Sequence, residues 1–201
     1  MLKNIYIGNK NIIQCFNDIN TIIVFFSSTL VYGHSKNYRN IKSILKPHSD
    51  YARIKVQTEG LYKKMAKNFL IFRVGNVYDD KLKKKGLLGN LKKAVKKDKF
   101  VKINNMNSIR NYIHVDDLIK MVKVIFDKKI QNETLNIGHQ NISNKRMIEV
   151  FEKIFKKKVR FENLNKNFYY DPNIKIDNRN IIKRLRFKFN NNLEKTIKYS
   201  K

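Results

Sequence analysis

The fold of this chain is constrained most strongly by two short, uninterrupted apolar runs. Each run is preceded by a stretch of helical periodicity. Apolar side chains recur at helical spacing over residues 4–17, and residues 22–26 form the first run. Residues 50–67 again indicate a long helix, and residues 69–74 form the second run. Continuous apolar strands are typical of parallel sheets that are buried on both faces. Since helix and strand alternate, we predict an α/β fold with right-handed crossovers and a parallel sheet.

The second half of the chain indicates a smaller, mixed α/β lobe. Helices are predicted over residues 87–97, 116–128, 143–157, 180–185 and 192–199, and extended segments over residues 100–103, 134–137 and 159–162. Asp116 or Asp117 is expected to cap the second of these helices, and Ser143 the third. We therefore divide the chain into a sheet domain over residues 1–78 and a lobe over residues 79–201. Residues 110–138 are expected to return to the sheet.

The chain is strongly basic, with 44 Lys and Arg against 16 Asp and Glu and a formal net charge of +28. Such a charge is typical of proteins that bind nucleic acid, because Lys and Arg neutralise phosphates. Here the basic residues are spread evenly along the chain, and other residues that are encoded by A/T-rich codons are enriched with them. This pattern favours drift in codon composition over selection for a basic surface. We therefore do not expect nucleic acid as a partner. The positive field would still attract an anionic nucleotide substrate.

Neither a membrane segment nor a secretion signal is visible in the sequence. The longest apolar stretch, residues 21–26, is far shorter than the roughly 20 residues that span a bilayer, and the N-terminus lacks the apolar region of a signal peptide. The expected location is the cytoplasm. The single Cys15 lies in a helical pattern, so we expect it to be a small buried hydrophobe rather than a nucleophile.

A tyrosine four residues before a lysine on a helix places a phenol and an ammonium on one face. The ammonium favours the phenolate and lowers the pKa of the phenol, so the pair can exchange a proton with a sugar hydroxyl. The spacing alone does not discriminate, because it occurs at Tyr6/Lys10, Tyr32/Lys36, Tyr38/Lys42 and Tyr51/Lys55.

Four blocks of sequence select Tyr51 and Lys55 by their order and spacing. They are Phe-Ser-Ser-Thr-Leu-Val-Tyr-Gly at residues 26–33, the helical segment 47–59, Phe-Arg-Val-Gly-Asn-Val-Tyr at residues 72–78, and Arg-Asn-Tyr-Ile-His-Val-Asp-Asp at residues 110–117. Together they resemble the extended short-chain dehydrogenase/reductase family of NAD-dependent sugar-nucleotide epimerases and dehydratases. The resemblance covers nearly the whole chain. It implies the C-terminal portion of a Rossmann-type parallel sheet with a small mixed α/β substrate lobe, and makes residues 1–78 a partial nucleotide-binding domain.

The resemblance also implies roles for individual residues. Tyr51 would be the general acid/base, Lys55 would tune Tyr51 and hold the nicotinamide ribose of NAD or NADP, and Ser28 would donate a hydrogen bond to the reacting oxygen. Asn76 and Arg110 would face a nucleotide-sugar substrate. No metal ion is expected, because His114 has no further ligand cluster of metal spacing and is interpreted as a buried histidine beside a helix cap.

Thr29 and Leu30, which follow Ser28, restrict the reaction. As the family is understood, its dehydratases carry an acidic residue at this place, and its fucose-type epimerase/reductases carry a cysteine. Neither Thr29 nor Leu30 can transfer a proton at a second position of the sugar. This favours a one-site reaction, namely 4-epimerisation of the sugar. Reduction of a 4-keto sugar nucleotide is the alternative, and a catalytically inactive, basic protein that binds nucleic acid or another polyanion is the hypothesis from a different class.

The family's glycine-rich turn, which holds the cofactor pyrophosphate at a helix N-terminus, has no counterpart in this sequence. Gly8 stands alone, and Met1 falls where a family member has already used about its first third. We expect the chain to be truncated at its front, as one half of a split enzyme, a decayed gene product or the product of a misplaced start. A separate N-terminal half would then be a partner, beside a homodimeric copy of the chain.

Overall fold

The computed structural model describes residues 2–82, 86–166 and 172–200. The helices are α1 Leu2–Phe16, α2 Asp50–Met65, α3 Leu87–Lys97, α4 Val115–Asp127, α5 Asn144–Phe155, α6 Arg179–Leu185 and α7 Leu193–Tyr199. The strands are β1 Ile23–Ser28, β2 Tyr38–Arg39, β3 Phe69–Val74, β4 Asn76–Tyr78, β5 Val101–Ile103, β6 Ile109–His114, β7 Glu133–Ile137, β8 Gln140–Ser143, β9 Phe161–Asn163 and β10 Lys175–Ile176. A 3-10 turn, Thr29–Tyr32, follows β1.

The principal sheet is parallel and has the strand order β1-β3-β7. Phe26 of β1 lies opposite Phe72 of β3, and Phe72 lies opposite Leu135 of β7. Helix α2 connects β1 to β3, and α4 precedes β7. The prediction of an α/β fold with a parallel sheet is therefore confirmed. Among the described strands, β1 lies at one edge of this sheet.

Helices cover both faces of the sheet, which explains why its strands are mostly apolar. On one face Ile23, Phe25 and Ile71 pack against side chains of α1 and α2, including Ile13 and Tyr62. On the other face, a second cluster contains Leu70, Phe72 and Leu135 from the strands with Met121 and Ile125 from α4. Successive strand residues point to opposite faces, so burial on both sides favours apolar side chains at consecutive positions.

The smaller lobe is mixed, as the sequence predicts. A second sheet has the order β4-β6-β8, in which β4 and β6 are parallel while β6 and β8 are antiparallel. Strand β4, which lies within residues 1–78, thus pairs with a strand of residues 79–201. Strands β5 and β9 pair separately. The core of the lobe includes Leu91 of α3, Met147 and Phe151 of α5, and Ile197 of α7. Strand β7 lies in the principal sheet, so the last part of the segment 110–138 returns there.

Two predictions of local structure are tested by the helix termini. Ser143 is the N-cap of α5 and accepts a hydrogen bond from the amide of Arg146, as expected. The prediction that Asp116 or Asp117 caps α4 is wrong, because His114 occupies the N-cap and its Nδ1 accepts from the amide of Asp116.

The prediction that Cys15 is buried is also wrong. Cys15 is exposed, because α1 turns Ile13 into the core. Residues two apart on a helix point in widely different directions. Within the described ranges, no helix has both the length and the apolar character that crossing a bilayer requires.

Candidate active site

The carboxyl end of β1 presents Ser28 at the start of a tight turn. Ser28 is the N-cap of the 3-10 turn, and its Oγ accepts a hydrogen bond from the amide of Leu30 at 3.2 Å. The turn ends at Gly33, whose φ of 64° and close approach to the carbonyl of Lys46 leave no room for a Cβ. Because the Ser28 hydroxyl accepts through a lone pair, its proton stays available for donation to another group.

Tyr51 and Lys55 lie on the first turns of α2. Ser49 caps this helix by accepting from the amide of Ala52 at 3.2 Å. The Lys55 ammonium donates to the carbonyl of Phe26 at 2.6 Å and lies 5.6 Å from the centroid of the Tyr51 ring. Lys55 therefore joins the helix that carries Tyr51 to the strand that ends in Ser28.

The local environment changes the acidity of both groups on α2. Tyr51 is 43% exposed, and its partial burial raises the pKa of the phenol. Burial lowers the pKa of the Lys55 ammonium, and the negative charge of Glu59 opposes this effect. The structure thus differs from the expectation that Lys55 lowers the pKa of Tyr51. The physical reason is that the ammonium is turned toward the Phe26 carbonyl rather than the phenol oxygen.

Asn76 and Arg110 lie on neighbouring strands and line one cavity. Asn76 begins β4 and donates to the carbonyl of Asn111 at 3.1 Å, while Arg110 lies on β6. The cavity has a volume of about 410 Å³. Its lining includes Leu30, Asn76, Tyr78, Asp79, Lys102, Asn104, Arg110 and Asn144.

The cavity reaches the turn that follows Ser28, because Leu30 is part of its wall. The structure therefore brings the two predicted substrate residues together and extends their cavity toward Ser28. Within the described part of the chain, Ser28, Tyr51 and Lys55 are not themselves among its lining residues. We call these three residues the second group; Lys55 lies beside the Tyr51 ring and contacts β1 two residues before Ser28.

A buried ionic network underneath this second group escaped the sequence analysis. Arg73 of β3 and Glu59 of α2 form an ion pair at 2.6 Å, with side chains only 3% and 2% exposed. The hydroxyl of Ser27 donates to Glu59 at 2.6 Å, and Arg73 donates to the hydroxyl of Tyr32 at 2.9 Å. Tyr32 donates in turn to Asn136 of β7 at 2.7 Å. We call these five residues the Glu59 network.

Two sequence signals could have revealed the Glu59 network. Arg73 is a charged residue within an otherwise apolar strand, and such a residue is rarely buried without a partner. Glu59 follows Lys55 by four residues, so it continues the face of α2 that carries Tyr51 and Lys55.

The group Asp80, His114 and Asp116 places three ligand-type atoms within 4.8 Å of one another. Both carboxylates are exposed, whereas His114 is buried. Both ring nitrogens of His114 already take part in hydrogen bonds, Nδ1 with the amide of Asp116 and Nε2 with Asp80. His114 is buried, as interpreted, but it is itself the N-cap of α4, and it has two neighbouring carboxylates where the sequence indicated no ligand cluster.

The oxygens of Asp117 are also engaged. Asp117 is fully buried, and its two carboxylate oxygens accept from the amides of Asn190 and Asn191. The segment that begins with Arg110 is thereby fixed to the C-terminal part of the chain.

Comparison with known proteins adds independent evidence. The model of the NAD dependent epimerase/dehydratase family matches residues 1–138. Among curated proteins, GDP-6-deoxy-D-talose 4-dehydrogenase of Aggregatibacter actinomycetemcomitans is 28% identical over 138 residues, which are 65% of this chain and 47% of that protein. The chain spans about half the length of this relative.

Solved structures share the fold over nearly the whole chain. UDP-glucuronic acid 4-epimerase from Bacillus cereus, in complex with UDP-glucuronic acid and NAD, has a TM-score of 0.86 at 21% identity, covering 97% of this chain and 65% of that one. dTDP-glucose 4,6-dehydratase from Bacillus anthracis, in complex with NAD, has a TM-score of 0.81 at 18% identity, covering 99% and 66%. The sequence match, over more than half of the chain, identifies this protein as a member of the NAD dependent epimerase/dehydratase family.

Proposed function

We propose that this site binds a nucleotide sugar and carries out 4-epimerase-type oxidation and re-reduction of one sugar carbinol. The observation that carries the proposal is the position of Lys55, which lies beside the Tyr51 ring and donates to the carboxyl-terminal part of β1. The cavity lined by Asn76 and Arg110 begins at the turn that follows Ser28. A substrate seated in that cavity could extend its sugar toward Tyr51.

The charge of the cavity suits a nucleoside diphosphate. Of its described lining residues, Lys102 and Arg110 are cationic and Asp79 is anionic. An arginine binds a phosphate through planar, paired donors, and the net charge of +28 adds a long-range attraction for anions. UDP-glucuronic acid bound to a protein of the same fold supports this class of ligand.

Tyr51, Ser28 and Lys55 would share the proton transfer. The phenolate of Tyr51 takes the proton of the sugar carbinol, and the hydroxyl of Ser28 donates to the same oxygen. Burial raises the pKa of the Tyr51 phenol, so this role would require the Lys55 ammonium to turn from the Phe26 carbonyl toward the phenol oxygen. After rotation of the sugar, Tyr51 would return the proton to the ketone oxygen while hydride adds to the opposite face of the same carbon.

NAD or NADP, when bound, supplies the acceptor and donor of the hydride. The residues present fit its nicotinamide ribose, because Lys55 directs one ammonium proton at the Phe26 carbonyl and retains further donors for ribose hydroxyls. Gly8, in contrast, lies inside α1 rather than in a turn between a strand and a helix.

The residues after Ser28 support a reaction at a single carbon. Thr29 is buried and Leu30 is apolar, so neither offers an acid or base for elimination. Reduction of a 4-keto sugar is the second candidate, since the curated relative is a 4-dehydrogenase. Incubation with a 4-keto sugar nucleotide and reduced cofactor distinguishes the two, because only the reductase consumes the cofactor stoichiometrically.

With NAD or NADP present, and a glycine-rich N-terminal portion of the family supplied, the experiment measures sugar-nucleotide binding by calorimetry and epimerised product by NMR. We expect Tyr51→Phe to lower kcat by about 100-fold to 10,000-fold while binding persists, because only the acid/base group is lost. Arg110→Ala should weaken binding instead. Tyr38→Phe is the matched control, because Tyr38 belongs to another tyrosine–lysine pair and should leave kcat unchanged. Full turnover by Tyr51→Phe, or absence of binding by the unaltered protein, refutes the proposal.

A further inference from the structure

The Glu59 network adjoins Ser28 through Ser27 and shares α2 with Tyr51 and Lys55, and it contains none of these three residues. We propose that the network is a positioning device, which holds the Ser28 turn and the Tyr51–Lys55 face of α2 in a fixed relation. This inference rests on the proposed function. Its members are Ser27, Tyr32, Glu59, Arg73 and Asn136, all of which are buried.

On the helix side, the network fixes the rotation of α2. Tyr51, Lys55 and Glu59 follow one another at intervals of four residues and share one face. The carboxylate of Glu59 accepts from both Nε and Nη2 of Arg73. A paired contact with a planar guanidinium restricts direction as well as distance. Rotation of α2 that moved Tyr51 or Lys55 would break these bonds.

On the strand side, the network holds the chain before and after Ser28. Ser27 immediately precedes Ser28 and donates to Glu59 at 2.6 Å. Tyr32 ends the 3-10 turn that Ser28 begins, and its hydroxyl accepts from Arg73 at 2.9 Å. Arg73 lies opposite Ser27 in the β1–β3 register. A single ion pair therefore fixes both ends of the segment that presents Ser28.

Stability alone does not account for a charged pair at this place. Removing two charges from water is costly, and apolar residues of similar volume are often as stable or more so. We assign the hydrogen bonds of Glu59 and Arg73 the role of fixing the orientation of α2 and of the turn at Ser28. The negative charge of Glu59 also opposes the effect of burial on the Lys55 ammonium. The network thus acts on both the geometry and the charge of the neighbouring groups.

The test compares Ser27→Ala and Glu59→Gln with Thr58→Val. Thr58 is fully buried beside Glu59, but its hydroxyl donates only to the carbonyl of Ile54 within α2. Because small misplacements of reacting groups are costly, we expect kcat to fall about tenfold in Ser27→Ala and about 100-fold in Glu59→Gln. KM for the nucleotide sugar should change less than about twofold, since the substrate cavity is not part of the network. Thr58→Val should retain the kcat of the unaltered protein.

Hydrogen exchange gives a second readout that does not require turnover. The amide of Leu30 is bonded to the Ser28 hydroxyl, so its exchange rate reports the position of that group. We expect exchange on the order of fivefold to tenfold faster in Ser27→Ala, which is the variant least prone to unfold, and no change in Thr58→Val. If the unaltered protein shows no turnover, the proposed function fails and the exchange rate alone decides the role of the network. Exchange in Ser27→Ala equal to that in Thr58→Val overturns the positioning role, and so does an unchanged kcat.

Discussion

Replacement of Glu59 by glutamine keeps the shape of the side chain but removes its charge, and should strongly destabilise the fold. Arg73 then loses the anionic partner to which its Nε and Nη2 donate, while its guanidinium stays in the interior. The side chain of Arg73 is only 3% exposed, so water cannot replace the carboxylate. Glutamine offers a single carbonyl oxygen in place of two carboxylate oxygens. An uncompensated buried charge is the dominant cost.

The expected magnitude follows from the burial of both partners. Breaking a buried ion pair by removing one partner costs about 3–5 kcal/mol. For a chain of this length, each kcal/mol corresponds to roughly 2–4 °C in Tm, so Tm should fall by about 6–20 °C. The double variant Glu59→Gln/Arg73→Met removes both charges together. Its free energy of unfolding should return to within about 2 kcal/mol of the unaltered protein.

Equilibrium unfolding in urea, followed by circular dichroism, measures these differences. The exposed ion pair of Glu149 with Arg146 provides the control, because Glu149→Gln should cost less than about 1 kcal/mol. A cost below about 1 kcal/mol for Glu59→Gln would show that Arg73 is not held in a dry interior. A double variant no more stable than the single one would contradict the assignment of the cost to an unpaired charge.

Two further predictions concern the packing of a glycine and the titration of a histidine. Gly138→Ala should lower the free energy of unfolding by about 1–3 kcal/mol in thermal unfolding, because the new Cβ would overlap the side-chain amide of buried Asn111. Gly60→Ala is the control and should not destabilise the protein, because the space beside Gly60 is open. Equal effects of the two substitutions would contradict this reasoning. Burial lowers the pKa of His139, which stacks on Phe189 with ring centroids 3.8 Å apart. The unfolded chain then binds the proton more readily than the folded chain. The free energy of unfolding should therefore decline as the pH falls from about 6.5 toward the lower folded-state pKa. Urea titrations at pH 7 and pH 5 should show a smaller decline for His139→Gln. An unchanged pH dependence would exclude His139 as its source.

The strands of the principal sheet and most helices were predictable because their signals are local. The apolar runs over residues 22–26 and 69–74 lie in β1 and β3, and Ser143 caps α5 as its hydroxyl suggests. Strand β6 was not predicted, because Arg110 and Asn111 interrupt its apolar pattern and its extended form depends on pairing with β4 and β8.

Within the candidate site, sequence motifs predict candidate residues but not their contacts. The positions of Ser28, Tyr51 and Lys55 follow from the order of the motifs, and family membership is confirmed by the match over residues 1–138. The bond of Lys55 to the Phe26 carbonyl could not be predicted, since it depends on how α2 lies across β1. The Glu59 network was missed for the same reason, because its members are distant in sequence and meet only in the folded chain.

The most direct test of the proposed site is the structure of the protein with a nucleotide sugar bound. We expect the diphosphate beside Arg110 in the cavity of about 410 Å³, with one sugar carbinol within hydrogen-bonding distance of both Tyr51 Oη and Ser28 Oγ. A sugar bound elsewhere, or one whose hydroxyls contact neither of these oxygens, would contradict the assignment of this site.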